Sequence, residues 1–287
     1  MHDKDQLEVA DFLVIGNKRC GTGWLNANLA AHPEIFMTRE KGVHFFDNNI
    51  ERGLRHYAIY FEGANSTSTK MRGETEHSYF WNDDVPERIK STLGVVPLVL
   101  MIRHPVDRAY STFKLQLRNS KKSRKEMNFE SMFRQSMIHN WNMTAWGFYG
   151  NQIRKYLKVF PLEAFHFVEF DDVQAKPKET IQAIYTNLGV ESNFEPPYLY
   201  KKMGVPATDY PVDTGRLKAH LVLSSMPARA LRKSLRRLGL NVAVYNRVSF
   251  PPLSPDLRRE LTRFYDNDIE LFMKLTGQDL QSWLSSE

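Results

Sequence analysis

A single cysteine, Cys20, stands in a chain of 287 residues. One thiol excludes an internal disulfide framework and the small secreted scaffolds that depend on cross-links. No run of about twenty apolar residues occurs, which excludes a transmembrane helix. Met1–Glu8 is polar and charged and lacks an apolar secretory region. Together these features set the expectation of a soluble, cytoplasmic protein in a reducing compartment. Zinc-finger spacing, RNA-binding signatures and internal repeats are also missing. The net charge of +6 is modest. It suits a site for one polyanionic small molecule, and nucleic acid is not expected as a partner. The length supports one large core without splitting, so residues 1–287 read as one domain, with 1–10 as a polar tail.

What is present concentrates in residues 12–25, Phe-Leu-Val-Ile-Gly-Asn-Lys-Arg-Cys-Gly-Thr-Gly-Trp-Leu. A short apolar run ends at Gly16, a loop carries Lys18, Arg19, Gly21, Thr22 and Gly23, and a helix-compatible segment follows. A strand feeding a glycine-rich turn at a helix start cradles anions: free backbone N–H groups point outward, and the helix dipole favours negative charge. Gly16 and Gly21 meet the G-x-x-x-x-G spacing of a nucleotide-triphosphate loop, but Thr22 and Gly23 replace the Lys-Ser/Thr that should follow. A second apolar run, Val95–Ile102, ends in Arg103-His104-Pro105. A magnesium-dependent phosphotransferase would want an aspartate near such a strand end. An arginine there suits a bare phosphate, which its planar fork grips in bidentate fashion.

These two segments resemble those of the PAPS-dependent sulfotransferases, where PAPS is 3′-phosphoadenosine-5′-phosphosulfate. Gly16, Arg19, Gly21, Thr22 and Leu25 are in register with the family's G-x-x-[KR]-x-G-T-T-x-L loop, with Gly23 at the second threonine. Arg103, Pro105, Arg108 and Ser111 match its R-x-P-x-x-R-x-x-S motif for the 3′-phosphate. His44-Phe45-Phe46-Asp47 is similar to the H-F-F-D segment of heparan-sulfate-type and bacterial carbohydrate sulfotransferases, and the small-molecule enzymes are kin to these. The resemblance covers most of 11–190 and 250–284. It implies an α/β fold: a single P-loop-like domain with a central, mostly parallel sheet flanked by helices. It implies PAPS as co-substrate with no metal. The donor-binding residues would be Lys18, Arg19, Cys20, Gly21, Thr22, Gly23, Trp24, Arg103 and Ser111.

The implied chemistry is in-line sulfuryl transfer to a hydroxyl or amine. Lys18 and Arg19 would stabilise charge on the sulfuryl oxygens and the leaving phosphate. A base must take the acceptor's proton. The glutamate that heparan-sulfate-type relatives use lies two residues before the H-F-F-D histidine, and here that position is Gly42. His44 ranks first as its replacement, Glu76 and His77 second, and Glu40 third. The acceptor is expected to be a small molecule or a sugar. Glu74, Glu76, Asp83 and Asp84, with the aromatic stretch Met137–Tyr149, favour a cationic small molecule. A non-catalytic PAPS-binding protein and a kinase-like phosphotransferase remain as alternatives.

The pattern predicts strands at Phe12–Ile15, Met71–Glu74, Pro97–Ile102 and Phe165–Phe170. Helices are expected at Thr22–Ala31, Val106–Leu117, Phe129–His139, Gly147–Phe160 and Pro177–Leu188. Ser254 as N-cap with Pro255 should open a long helix through Lys274. Asn119–Lys125 and Ala207–Gly215 read as loops. Pro227–Leu240 carries five cations and no acid, a solvated face or a peripheral membrane contact.

Overall fold

A computed structural model of the chain describes residues 7–64, 67–119, 128–201, 209–213 and 245–284. Five strands form the central sheet: β1 (Phe12–Gly16), β2 (Ile35–Met37), β3 (Met71–Thr75), β4 (Leu98–Ile102) and β5 (Phe165–Glu169). Their spatial order is β2-β3-β1-β4-β5, and every pairing is parallel. Parallel sheets need cover on both faces, and the strands supply apolar residues to both. Phe12, Val14, Val99 and Met101 face one core, which holds Trp24 and Leu25 of α1 (Thr22–Ala30). Ile181, Ile184 and Tyr185 of α9 (Pro177–Asn187) complete that core. Leu13, Ile15, Leu98, Leu100 and Ile102 face the other. It holds Ile153 of α7 (Tyr149–Tyr156) and Ile269 and Phe272 of α11 (Asp266–Thr276).

From β1 the chain crosses to β2 and returns to β3 on one side of β1, then passes to β4 on the other. The carboxyl ends of β1 and β4 therefore flank a topological switch point, where open α/β sheets bind ligands. α4 (Pro105–Asn119) follows β4 directly and carries Ser111 and Lys114 back over this point.

Several expectations are corrected. The polar tail stops short of residue 9, because Val9 and Ala10 are buried in the core. β2, α2 (Leu54–Ala58), α3 (Val85–Leu93), α6 (Trp141–Ala145) and α8 (Phe170–Ala175) were not foreseen. The long helix expected from Ser254 is two helices, α10 (Pro255–Thr262) and α11. They are separated at Arg263–Tyr265, where Tyr265 adopts φ −112 and its ring is wholly buried. Ser254 does cap α10, its Oγ accepting from the Leu257 N–H at 3.3 Å. Within the expected 207–215 loop, β6 (Asp209–Asp213) pairs antiparallel with β7 (Tyr245–Ser249). The basic run 227–240 and the loop residues 120–125 lie outside the described residues.

Candidate active site

β1 ends in the loop that the sequence singled out. Gly21 is the N-cap of α1 at φ 97. A methyl group there would meet the Phe170 ring at 3.0 Å and Met101 at 3.2 Å, so only glycine makes this turn. Arg19 also has positive φ, at 74. The strained turn aims its side chain across the sheet ends, where Nε donates to Ser111 Oγ at 3.0 Å. Arg103, just past β4, stacks on Phe170 with its guanidinium 4.3 Å from the ring centroid. Its Nη1 donates to the Arg19 carbonyl at 3.3 Å. Arg19, Arg103 and Ser111 thus converge at the switch point.

The electrostatics of this corner are those of an anion site. Burial and then the neighbouring Arg103 pull the Arg19 pKa down. Lys114 is lowered by burial, then by Arg103 and Arg19. Three cations oppose one another here, and an anion between them would relieve the repulsion. Lys114 went unnoticed in the sequence, although it stands three residues after Ser111 on one helix face. Lys41 was also missed, and its Nζ lies 3.5 Å from the Gly23 carbonyl at the start of α1. Asn17 is a third omission. It accepts from Trp81 Nε1 at 2.9 Å and from the Lys18 N–H at 2.6 Å, and donates to the Trp146 carbonyl at 3.0 Å. It pins the loop to two indoles that lie parallel, 6.1 Å apart.

Other loop residues are structural. Cys20 is fully buried, 3.8 Å from the Tyr149 hydroxyl, and burial raises its thiol pKa to about 11. Trp24 packs in the core with Nε1 donating to the Leu199 carbonyl at 2.8 Å. Arg108 of the resembled phosphate motif is 1% exposed and donates to the Met143 carbonyl. Its guanidinium is thus engaged in the core, close enough to the loop for its charge to act on Cys20.

A domain model for the sulfotransferases, described as "Sulfotransferase domain", matches residues 10–202. The chain belongs to the sulfotransferase family. A mouse bifunctional heparan sulfate N-deacetylase/N-sulfotransferase 3 is 26% identical over 292 residues, covering 96% of this chain. A mouse heparan sulfate glucosamine 3-O-sulfotransferase 5 is 26% identical over 193 residues, covering 64% of this chain and 54% of its own. The chain spans 31% of the length of the first of these relatives. The fold is shared with a sulfotransferase from Alicyclobacillus acidocaldarius, at TM-score 0.68 and 22% identity, covering 96% of this chain and 99% of that one. No helix among the described residues is long and apolar enough to cross a membrane.

On the β3 side of the site, this sulfotransferase gathers His44, Asp47, Glu76 and His77. The fully buried Glu76 carboxylate sits between two imidazoles. His44 Nε2 is 3.5 Å from Oε2, and His77 Nδ1 is 3.4 Å from Oε1. Oε1 also accepts from the Ser78 N–H at 2.9 Å, while Oε2 has no hydrogen-bond partner. His44 Nδ1 meets Asp47 Oδ2 at 3.0 Å. Gly42, at φ 76, makes room for this arrangement: a methyl group would lie 3.3 Å from Glu76 Oε2 and 3.5 Å from His44 Nε2. His44, Asp47 and Glu76 bring one ligand atom each within 4.8 Å of the others. Ser78 Oγ bridges Glu76 Oε1 at 2.6 Å and Asp47 Oδ2 at 2.7 Å. Ser78 thus links the two carboxylates in one hydrogen-bonded network. Glu40 is exposed and stands apart from this group.

Of the acids expected to attract a cationic acceptor, Glu74 and Glu76 are fully buried, whereas Asp83 and Asp84 are exposed and paired with cations. Glu74 is fully buried and accepts from the Tyr57 hydroxyl at 2.5 Å and the Tyr79 hydroxyl at 2.7 Å. Asp83 pairs with Lys155, and Asp84 pairs with Arg88 at 2.9 Å. Tyr149 is core, whereas Trp141 is 72% exposed and Trp146 flanks the loop.

Proposed function

We propose that this sulfotransferase moves the sulfuryl group of PAPS to a hydroxyl or amine of a sugar or small-molecule acceptor. The observation that carries this reading is the Arg19–Ser111–Arg103 corner at the switch point, with Lys114 beside it. Planar guanidinium forks at this spacing suit the 3′-phosphate of the donor. The N-terminus of α1, with Lys18 and Lys41 at its rim, suits the 5′-phosphosulfate. In the reaction the acceptor atom attacks sulfur as the bond to the leaving phosphate oxygen breaks. Lys18 and the loop amides hold the charge that develops on both oxygen sets. A base of the His44–Glu76–His77 group takes the acceptor's proton.

The site lies beside the parallel indoles of Trp81 and Trp146, a flat apolar wall that suits a sugar face or an aromatic ring. Glu74 is buried, and Asp83 and Asp84 pair with Lys155 and Arg88 at the surface; the proposed acceptor is a sugar or a small molecule, cationic ones included. Calorimetric titration with adenosine 3′,5′-bisphosphate (PAP), without magnesium, tests the reading. Saturable binding that 5′-AMP does not reproduce is expected. No PAP binding would overturn the sulfuryl-transfer reading.

A further inference from the structure

His44 and His77 are almost equally open to solvent, at 37% and 38% of their side chains, so access does not distinguish them as bases. Their contacts do. His44 has a carboxylate at each ring nitrogen, Asp47 at Nδ1 and Glu76 at Nε2. Two carboxylates favour the protonated ring, so His44 frees a lone pair only at higher pH than an unpaired imidazole does. His77 meets Glu76 through Nδ1 alone. That contact favours the proton on Nδ1, which leaves the lone pair on Nε2.

Position agrees with this. The His77 ring lies 6.4 Å from that of Trp146, and the Lys18 ammonium lies 5.5 Å from the same indole. The His77 carbonyl oxygen is 3.2 Å from where a methyl group on Gly16 would stand, at the root of the donor loop.

Resting on the sulfuryl-transfer reading, we infer that His77 Nε2 takes the acceptor's proton and that Glu76 is the positioning residue that aims it. The new bond joins the acceptor oxygen or nitrogen to sulfur. The electron pair of the breaking S–O bond leaves on the 5′-phosphate oxygen of PAP, and the acceptor's proton moves to Nε2. Glu76 then stabilises the imidazolium, which returns its proton to water. The Glu76 carboxylate thereby offsets the loss of a carboxylate at position 42. Its Oε2 lies beside the space a side chain there would enter.

The charged groups facing His77 are Glu76, Lys18, His44 and Asp47. Burial lowers its pKa, Glu76 opposes this, and Lys18 and His44 reinforce it, for a net fall below 6.5. For His44, burial acts downward, but Asp47 and Glu76 outweigh it and the net shift is upward. The two candidate bases therefore give acidic limbs on opposite sides of pH 6.5.

The test measures PAP formation from PAPS, with water as the acceptor, as a function of pH in the full chain. Wild type should lose activity only below pH 6.5. His77→Gln should lose about 100-fold or more, the scale of general-base catalysis, while still binding PAP by calorimetry. His44→Gln should lose about tenfold or less. Glu76→Gln should lower the rate and move the acidic limb further down, a shift that a merely structural role would not produce. Imidazole NMR, read whether or not turnover is measurable, should show His77 as the Nδ1–H tautomer titrating below His44. An acidic limb above 6.5, the opposite tautomer, or the larger loss in His44→Gln would overturn the assignment. Failure of wild type to bind PAP would instead overturn the sulfuryl-transfer reading itself.

Discussion

Removing one guanidinium from the anion corner should move stability and affinity very differently. In Arg103→Ala, the chain loses a cation–π contact with Phe170 at 4.3 Å, about 0.5–1 kcal/mol. It also loses a bond to the Arg19 carbonyl at 3.3 Å, long enough to be weak. Against these stands the relief of repulsion on Arg19 and Lys114, both of which Arg103 pushes downward. The protein without nucleotide should thus unfold within about 1 kcal/mol of wild type. With PAP the sign is unopposed, because the anion turns the repulsive cluster into an attractive one. A charge-assisted hydrogen bond contributes roughly 1.5–3 kcal/mol, or about 10- to 150-fold in Kd. Calorimetry with PAP and 5′-AMP, alongside urea unfolding, separates the two effects. Wild-type PAP affinity in the variant would refute the phosphate assignment. A stability loss of several kcal/mol without nucleotide would show that Arg103 is a structural side chain.

Four further outcomes follow from the geometry. Asp268 is 5% exposed and accepts from the Gly150 N–H at 2.7 Å and the Asn151 N–H at 2.8 Å, capping α7 from α11. Asp268→Ala should cost roughly 2–3 kcal/mol in urea unfolding, since it strands the buried Gly150 N–H and removes the cap on Asn151. Burial raises the Glu74 pKa from 4.5 to about 7. Its contribution is fully present below pH 4.5 and is lost as pH rises through 7, about 3 kcal/mol at most. Glu74→Gln should flatten the fall in urea midpoint between pH 5 and 8, and an unchanged slope would contradict this. Gly42→Ala forces a side chain into φ 76 and should lower stability by about 1–2 kcal/mol in thermal unfolding. Cys20, buried with its thiol pKa near 11, should resist alkylation at pH 8 until denaturant is added; rapid native labelling would contradict its burial.

Much of the fold was legible because its signals are local. Apolar runs ending at Gly16 and Ile102 are strands, since a parallel sheet buried on both faces writes itself as continuous apolar sequence. The Phe129–His139 helix matches its predicted bounds, with Asn128 accepting from the Ser131 N–H as its cap. β2 escaped notice because three residues carry no periodicity. The break between α10 and α11 escaped because neither Gly nor Pro marks it. Burial of Tyr265 against the core sets it, a long-range cause.

The serine on α4 was marked only by the family resemblance, whereas the anion loop and the arginine after β4 could be read from residue types and spacing, because a helix start and a strand end determine their own chemistry. Which side chains were available for it could not. Glu74, Asp83, Asp84 and Arg108 carry charge in the sequence, yet their partners lie 4 to 72 residues away, and only packing decides that they are taken. The same holds at the base. The sequence offered His44 first, Glu76 and His77 second and Glu40 third, because imidazole and carboxylate are chemically competent wherever they stand. Only the tertiary structure sets their surroundings, with a carboxylate near both nitrogens of the His44 ring and near one nitrogen of the His77 ring.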